Sequence, residues 1–218
     1  MKFRYLTFDC YGTLIDWQKG IERSLEASFG KLPVHGGALM ESYAAAEKLE
    51  EADYQKYREV LRKTSLRLAE ELGLKTTKDS AVRFAGSVSS WPAFPDTQAA
   101  LRSLGKHGYK RYILSNVDVD LLTATIRENG LKLDGYVTAE DVGSYKPAHA
   151  HWLRFMEMTG ATKDEILHVA QSVFHDIVPA GKIGIQTAWV NRYRQALPAG
   201  AEPLYIADSM EGLVSLLE

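Results

Sequence analysis

The 218-residue sequence predicts an α/β fold, a doubly wound parallel sheet interrupted after its first strand by an all-helical insertion. Three observations carry this. Apolar, β-branched or aromatic runs of strand length recur at residues 5–8, 112–114, 166–170, 187–190 and 204–206. Helix-length segments separate most of them, and strands alternating with helices form parallel sheets covered on both faces. Residues 17–91 break that rhythm and contain no convincing strand.

In chain order, the first strand runs into Asp9, Gly12 and Thr13. Residues 38–72 are rich in Ala, Glu, Lys, Arg and Leu, carry Tyr43, Leu49, Tyr57, Leu61, Leu68 and Leu72 at near-helical spacing, and stop at Gly73. The insertion returns through Trp91-Pro92-Ala93-Phe94-Pro95, whose prolines resist helix and interior strand alike. This places a core at residues 1–15 and 92–218 and a helical cap at 16–91. Within the core, residues 98–107 form an amphipathic helix with Leu101 and Leu104 inward. Residues 121–129 and 148–159 are helices ending at Gly130 and Gly160. Segments 176–182 and 209–217 complete the set, the last with Met210, Leu213, Val214 and Leu217 on one face.

Composition narrows the function. With 45% hydrophobic and 25% charged residues the chain builds one full-sized core, and a net charge of -2 gives no cationic excess for nucleic acid. Cys10 is the single cysteine, which excludes an internal disulfide and suits a reducing compartment. No apolar stretch reaches the roughly 18 residues of a membrane span. A cytoplasmic location without membrane partners is the expectation. No heptad run demands an oligomer, although the cap face leaves a homodimer open.

Ligands of open parallel sheets bind beyond the carboxyl ends of the strands. Four such ends carry polar groups here: Asp9 with Gly12 and Thr13; Ser115 and Asn116; Lys146 before Pro147; and Gln171, Ser172 and Asp176. Singly, each is explained by a helix cap or a turn. Together and in order, FDCYGTL, ILSN, the Lys of SYKP and the Ser and Asp of QSVFHD resemble the haloacid dehalogenase superfamily over nearly the whole chain. The resemblance implies a Rossmann-like core with a mobile helical cap and an attacking carboxylate at Asp9. Thr13 and Ser115 would hold the substrate anion, Lys146 would steady the nucleophile, and Asp176 would sit around the hydrolytic water. Tyr11, Asn116, Gln171, Ser172 and His175 would complete the substrate pocket.

Two departures from the superfamily's phosphatases point one way. Where they carry a proton-donating aspartate two residues after the nucleophile, this chain has Tyr11, a poor acid at neutral pH. Where they place a magnesium-binding aspartate stands Gln171, a weaker ligand for a hard cation. Halide leaves without a proton, so both losses suit the 2-haloacid dehalogenase branch, which this chain resembles in reading Asp-x-Tyr-Gly-Thr. That resemblance implies no required cofactor, a short halogenated carboxylic acid as substrate, an ester between Asp9 and C2, and a 2-hydroxy acid product with C2 inverted. A phosphatase with a weakened Mg2+ site and a catalytically idle ligand-binding relative stay open as alternatives.

The branch also carries a cap arginine, and the nearest positions here are residues 44–46, all alanine. Arg58 and Arg62 are the candidate replacements. After the fourth strand this chain has Gln171-Ser172-Val173 where dehalogenases have Ser-Ser-Asn. His149, His151 and His168 are expected to be surface or helix-capping residues, while His175 lies at the rim beside Asp176. Trp17, Tyr54, Tyr57 and Trp91 are expected to form cap core or an aromatic pocket wall.

Overall fold

The computed structural model describes residues 3–218. At its centre lies a six-stranded sheet, every neighbouring pair parallel, in the order β3-β2-β1-β4-β5-β6. The strands are β1 (Tyr5–Phe8), β2 (Lys110–Ser115), β3 (Gly135–Thr138), β4 (Ile166–Ala170), β5 (Gln186–Val190) and β6 (Tyr205–Ala207). Successive residues of β1 enter different apolar clusters. Leu6 and Phe8 join Leu101, Leu104 and Leu213, while Tyr5 joins Trp152, Phe155 and Ile166. Both sheet faces are therefore covered, as continuous apolar strands require. The helices responsible are α5 (Thr97–Lys106), α6 (Val119–Glu128), α7 (Ala139–Val142), α8 (Ala150–Thr159), α9 (Val178–Lys182) and α10 (Met210–Leu217).

Strand β3 departs from the expectation. GYVT is short and opens on glycine, which depresses strand propensity. Its glycine serves packing instead, since a Cβ at Gly135 would sit 2.6 Å from Cε1 of Tyr112 on the neighbouring strand. The helix expected at 176–182 is also corrected. A π turn, Val173–Ile177, precedes α9, closed by the Ile177 N–H donating to Ser172 O at 3.2 Å. That wide turn carries Asp176 inward to full burial.

Between β1 and α5 lie α1 (Trp17–Phe29), α2 (Gly36–Glu50), α3 (Tyr57–Glu71), α4 (Lys78–Gly86) and a 3₁₀ turn, Ser87–Ser90. Residues 38–72, continuous in periodicity, are two helices broken at residues 51–56. The cause lies in the core. Asp118, 2% exposed at the start of α6, accepts the Tyr57 and Arg58 N–H groups at 2.9 Å each and so caps α3 from outside its own segment. The Tyr145 hydroxyl donates to Gln55 O in the connection, and Lys56 pairs with Glu140 at 2.8 Å.

The two chains linking this segment to the sheet bond to each other. Asp16 N–H donates to Pro92 O at 2.8 Å and Phe94 N–H to Leu14 O at 3.0 Å. Beside them Trp91 is buried, its indole N–H 3.1 Å from Ser24 Oγ, with its ring against Gly20 of α1. No helix among the described residues is long and apolar enough to cross a membrane.

Asp118→Ala should cost about 1–2 kcal/mol, as loss of a helix cap does, and lower Tm by several degrees in scanning calorimetry. Asp118→Asn, which keeps one acceptor, should lose less. Gly20→Ala sets two effects against each other. Helix propensity favours alanine by at most about 1 kcal/mol. The added Cβ would lie 2.3 Å from Trp91 Cγ, and overpacking of that kind costs about 1–3 kcal/mol. The expected net result is a lower Tm, with a blue or red shift of the Trp91 fluorescence.

Candidate active site

Asp9 follows β1 directly, its N–H bonded to Val169 O on β4 at 3.0 Å. The chain then turns sharply, with the Leu14 and Ile15 N–H groups both returning to Cys10 O. Gly12 makes this turn possible at φ +100, and a Cβ there would meet the Trp17 ring at 3.2 Å. The turn delivers Thr13 beneath Asp9. Its hydroxyl donates to Asp9 Oδ2 at 2.9 Å and accepts the Gln171 N–H at 2.9 Å. Thr13 is fully buried and committed to Asp9, which corrects the expectation that it meets the substrate.

Lys146 enters from the loop after α7. Asn116 fixes that loop from both sides, its Nδ2 donating to Lys146 O at 3.0 Å and its Oδ1 accepting the Lys146 N–H at 2.7 Å. The Asn116 amide thus serves Lys146, although the residue borders the cavity. The Lys146 ammonium donates to Asp9 Oδ1 at 2.9 Å, Asp176 Oδ1 at 2.6 Å and Leu114 O at 2.9 Å. Its three protons are all committed, so it acts as a fixed charge and has no proton to offer a ligand.

Electrostatics follow from this arrangement. For Lys146, burial disfavours the charged form, but Asp176 and Asp9 outweigh it and hold the ammonium well above its usual range. Burial pushes Asp9 above the ordinary carboxylate value, opposed by Lys146 and reinforced by the Asp176 charge. For Asp176, burial is outweighed by Lys146 and His168, and the carboxyl is held far below its usual range. His168, fully buried on β4, donates from Nε2 to Asp176 Oδ1 at 2.9 Å and bonds the Thr7 hydroxyl through Nδ1 at 2.9 Å. Asp176 Oδ2 makes no hydrogen bond with any described residue.

The expectation of surface or capping histidines holds for His149, at the N-cap position of α8, and is corrected for the other two. His168 lies in the core, and so does His151, whose Nε2 donates to Ser115 O at 3.1 Å. Burial lowers His151 to about 4, so it is neutral. The sequence signal for His168 is faint. It is one polar residue in ILHVA, eight positions before Asp176, and periodicity assigns it no partner.

A cavity of about 260 Å3 opens over Asp9. Tyr11, Ser115, Asn116, Gln171, Ser172 and His175 all border it. The Ser115 hydroxyl is buried there without a hydrogen-bond partner. The Tyr11 phenol bonds Thr125 Oγ1 at 2.9 Å, and burial raises it well above its normal range, so it is no acid at neutral pH. The Gln171 side-chain amide bonds Gln195 at 3.4 Å. Burial lowers His175, whose Nδ1 lies 3.2 Å from Ser172 Oγ. Trp17, Tyr57 and Trp91 form an aromatic wall.

Besides these rings the cap supplies Ile21, Ala44, Glu47 and Glu51, and no arginine among the described residues borders the cavity. Arg58 turns away to Asp120 at 2.6 Å and Arg62 to Glu59 at 2.9 Å, so neither replaces the cap arginine. Glu47 and Glu51 escaped the sequence reading because an acid in or beside a helix is ordinarily solvated. A divalent cation does not suit the donors around Asp9. The two carboxylates there already share one ammonium, Gln171 adds only a neutral amide, and among the described residues no three His, Cys, Asp or Glu side chains are grouped to hold a metal.

The model of the haloacid dehalogenase-like hydrolases matches residues 3–184. The chain is 28% identical over 196 residues to (S)-2-haloacid dehalogenase 4A of Burkholderia cepacia, covering 87% of this chain and 83% of that protein. It is 26% identical over 230 residues to (S)-2-haloacid dehalogenase of Pseudomonas sp. (strain YL), covering 98% and 94%. The structure of L-2-haloacid dehalogenase from Xanthobacter autotrophicus with chloropropionic acid covalently bound superimposes with a TM-score of 0.87 at 21% identity, covering 99% of this chain and 98% of that one. The match along most of its length and the shared α/β architecture with an inserted helical segment make this chain a hydrolase of the haloacid dehalogenase-like family.

Proposed function

We propose that the protein is a metal-independent dehalogenase of short 2-haloacids. The observation that carries this reading is a nucleophile surrounded by groups that hold charge but give no proton. Lys146 is fully committed, and Tyr11 is tied to Thr125 with its phenol raised. A phosphate ester needs its alkoxide protonated, whereas halide departs as a stable anion. The names of the Burkholderia and Pseudomonas relatives accord with this.

In the first step a carboxylate oxygen of Asp9 attacks C2 of the substrate, and the carbon–halogen bond breaks with its electron pair leaving on halide. The Ser115 hydroxyl is the donor available to the substrate carboxylate. In the second step water attacks the Asp9 carbonyl carbon and the acyl–oxygen bond breaks. Lys146 stands beside the oxyanion that forms. Asp176 Oδ2 is the acceptor that orients the water. C2 is inverted once, a 2-hydroxy acid leaves, and one proton passes to solvent. The buried, unpaired Cys10 accords with a reducing cytoplasm.

Incubation with chloro-, bromo- and fluoroacetate should release halide, insensitive to chelator and lost in Asp9→Asn. Magnesium-stimulated release of phosphate from p-nitrophenyl phosphate with no halide would replace this reading with a phosphatase. Single turnover in heavy-oxygen water should label Asp9 before product. Lys146→Met should lower kcat about 10²–10³-fold. Because it strands two buried carboxylates, at about 3–5 kcal/mol, circular dichroism must accompany it. The nucleophile must be ionised, so kcat/KM should fall as pH drops through the Asp9 pKa, with an acidic midpoint above the ordinary 3.8.

A further inference from the structure

Glu47, in the last turn of α2, and Glu51, just beyond it, border two adjoining cavities. One is the cavity over Asp9. The other, about 640 Å3, continues outward between the cap and the loop carrying Lys146, and shares Ala44, Lys146 and His175 with the first. That the inner cavity receives a ligand stands on separate ground. The buried Ser115 hydroxyl and Asp176 Oδ2, both without partners, border it.

The two acids differ in their surroundings. Glu47 Oε1 accepts the Tyr57 hydroxyl at 2.6 Å and the Tyr43 hydroxyl at 3.1 Å. The Glu51 side chain, only partly exposed, makes no hydrogen bond or ion pair with any described residue, its backbone N–H alone donating to Glu47 O at 3.0 Å. Rings stand around them. Tyr54 and Tyr145 lie 5.3 Å apart at the outer cavity, and Tyr57 lies 6.4 Å from Tyr145. The cations facing the two cavities are Lys146, with no proton to spare, and Lys48, exposed at the outer rim. Facing them are Asp9, Asp176, Glu47 and Glu51. A second anion from a substrate would be repelled here wherever Glu51 is ionised. A cation would be drawn to the carboxylates and to the electron-rich ring faces.

We propose that the end of the substrate remote from the carbon–halogen bond carries an alkylammonium group, seated between Glu51, Glu47 and the rings of Tyr54, Tyr57 and Tyr145. The proposal rests on the reading that Asp9 reacts in the inner cavity, and it makes the preferred substrate a 2-haloacid with a cationic tail. Glu51 is the specificity-determining residue, on a pocket wall to which no arginine of the described residues contributes.

Burial, and then the Glu47 charge, push Glu51 up to about 8. A bound ammonium favours the ionised form, so its affinity rises with pH. The other titratable groups bordering these cavities are Glu47 and Lys48 from α2, Tyr54 from the connection after it, Tyr57 from α3, Tyr145 and Lys146 from the loop after α7, His175 and Asp176 from the π turn, and Asp9 and Tyr11 after β1. A carboxylate tail held by a protonated Glu51 would show the opposite trend.

Titration calorimetry with 6-aminohexanoate and heptanoate, which differ by an ammonium in place of a methyl and contain no halogen, separates these outcomes. Wild type should bind 6-aminohexanoate at least about tenfold more tightly, with affinity rising from pH 6.5 to 8.5. Glu51→Gln should erase the preference by weakening 6-aminohexanoate, with heptanoate bound no more weakly than by wild type. Equal or tighter binding of heptanoate, affinity for the amine that falls with pH, a preference that survives Glu51→Gln, or no binding of either at millimolar concentration overturns the proposal. Halide release from bromoacetate is scored separately. Its absence alongside an intact ammonium preference overturns the dehalogenase reading alone, and its presence without the preference overturns this one alone.

Discussion

The site is organised by one buried ammonium. Lys146, 2% exposed, gives its three protons to Asp9 after β1, to Leu114 O on β2 and to Asp176 in the turn after β4. A lone buried cation is prohibitively costly, and this one is tolerable because every proton meets an acceptor and two of those acceptors are charged. The same bonds cross-link three strand ends and fix the nucleophile's orientation. His168 and Thr7, inside β4 and β1, extend the network into the sheet. The arrangement offers fixed charge beside Asp9 and no acidic proton, which suits the proposed departure of a stable anion.

The cap is attached by polar contacts as well as apolar ones. Asp118 closes the amino end of α3 from the core, and the paired linkers at Leu14–Pro92–Phe94 join the two parts side by side. Buried residues of the insertion such as Ile21, Tyr43 and Leu61 belong to the same apolar cluster as Leu6 and Phe8 of β1. The cap therefore brings Glu47 and Glu51 to the cavity over Asp9 on an anchored platform, so that the walls of that cavity come from different layers of the molecule.

Much of this was legible in the chain. Strand-length apolar runs alternating with amphipathic helices dictate a parallel sheet, because no other arrangement buries strands that are apolar on both faces. Parallel strands send their following loops to one rim, so Asp9, Ser115, Lys146 and Gln171 to Asp176 had to gather there. The identities of Tyr11 and Gln171 restrict acid catalysis and metal binding by side-chain chemistry alone. These conclusions depend on residue type, order and period, which are one-dimensional properties.

What the sequence left open were properties of distance. The break between α2 and α3 has no local cap and depends on Asp118, some sixty residues away in sequence. His168 looks like any isolated polar residue until burial sets it 2.9 Å from Asp176. Arg58 and Arg62 were plausible ligands until the helix rotation turned them to Asp120 and Glu59. Glu47 and Glu51 read as solvated helix acids until the cap's placement put them against the cavity. Composition and periodicity fix which elements form and which rim collects the polar loops. Only the packed structure decides which charges are desolvated together, because Coulomb interactions and burial depend on separations in space that sequence spacing does not encode.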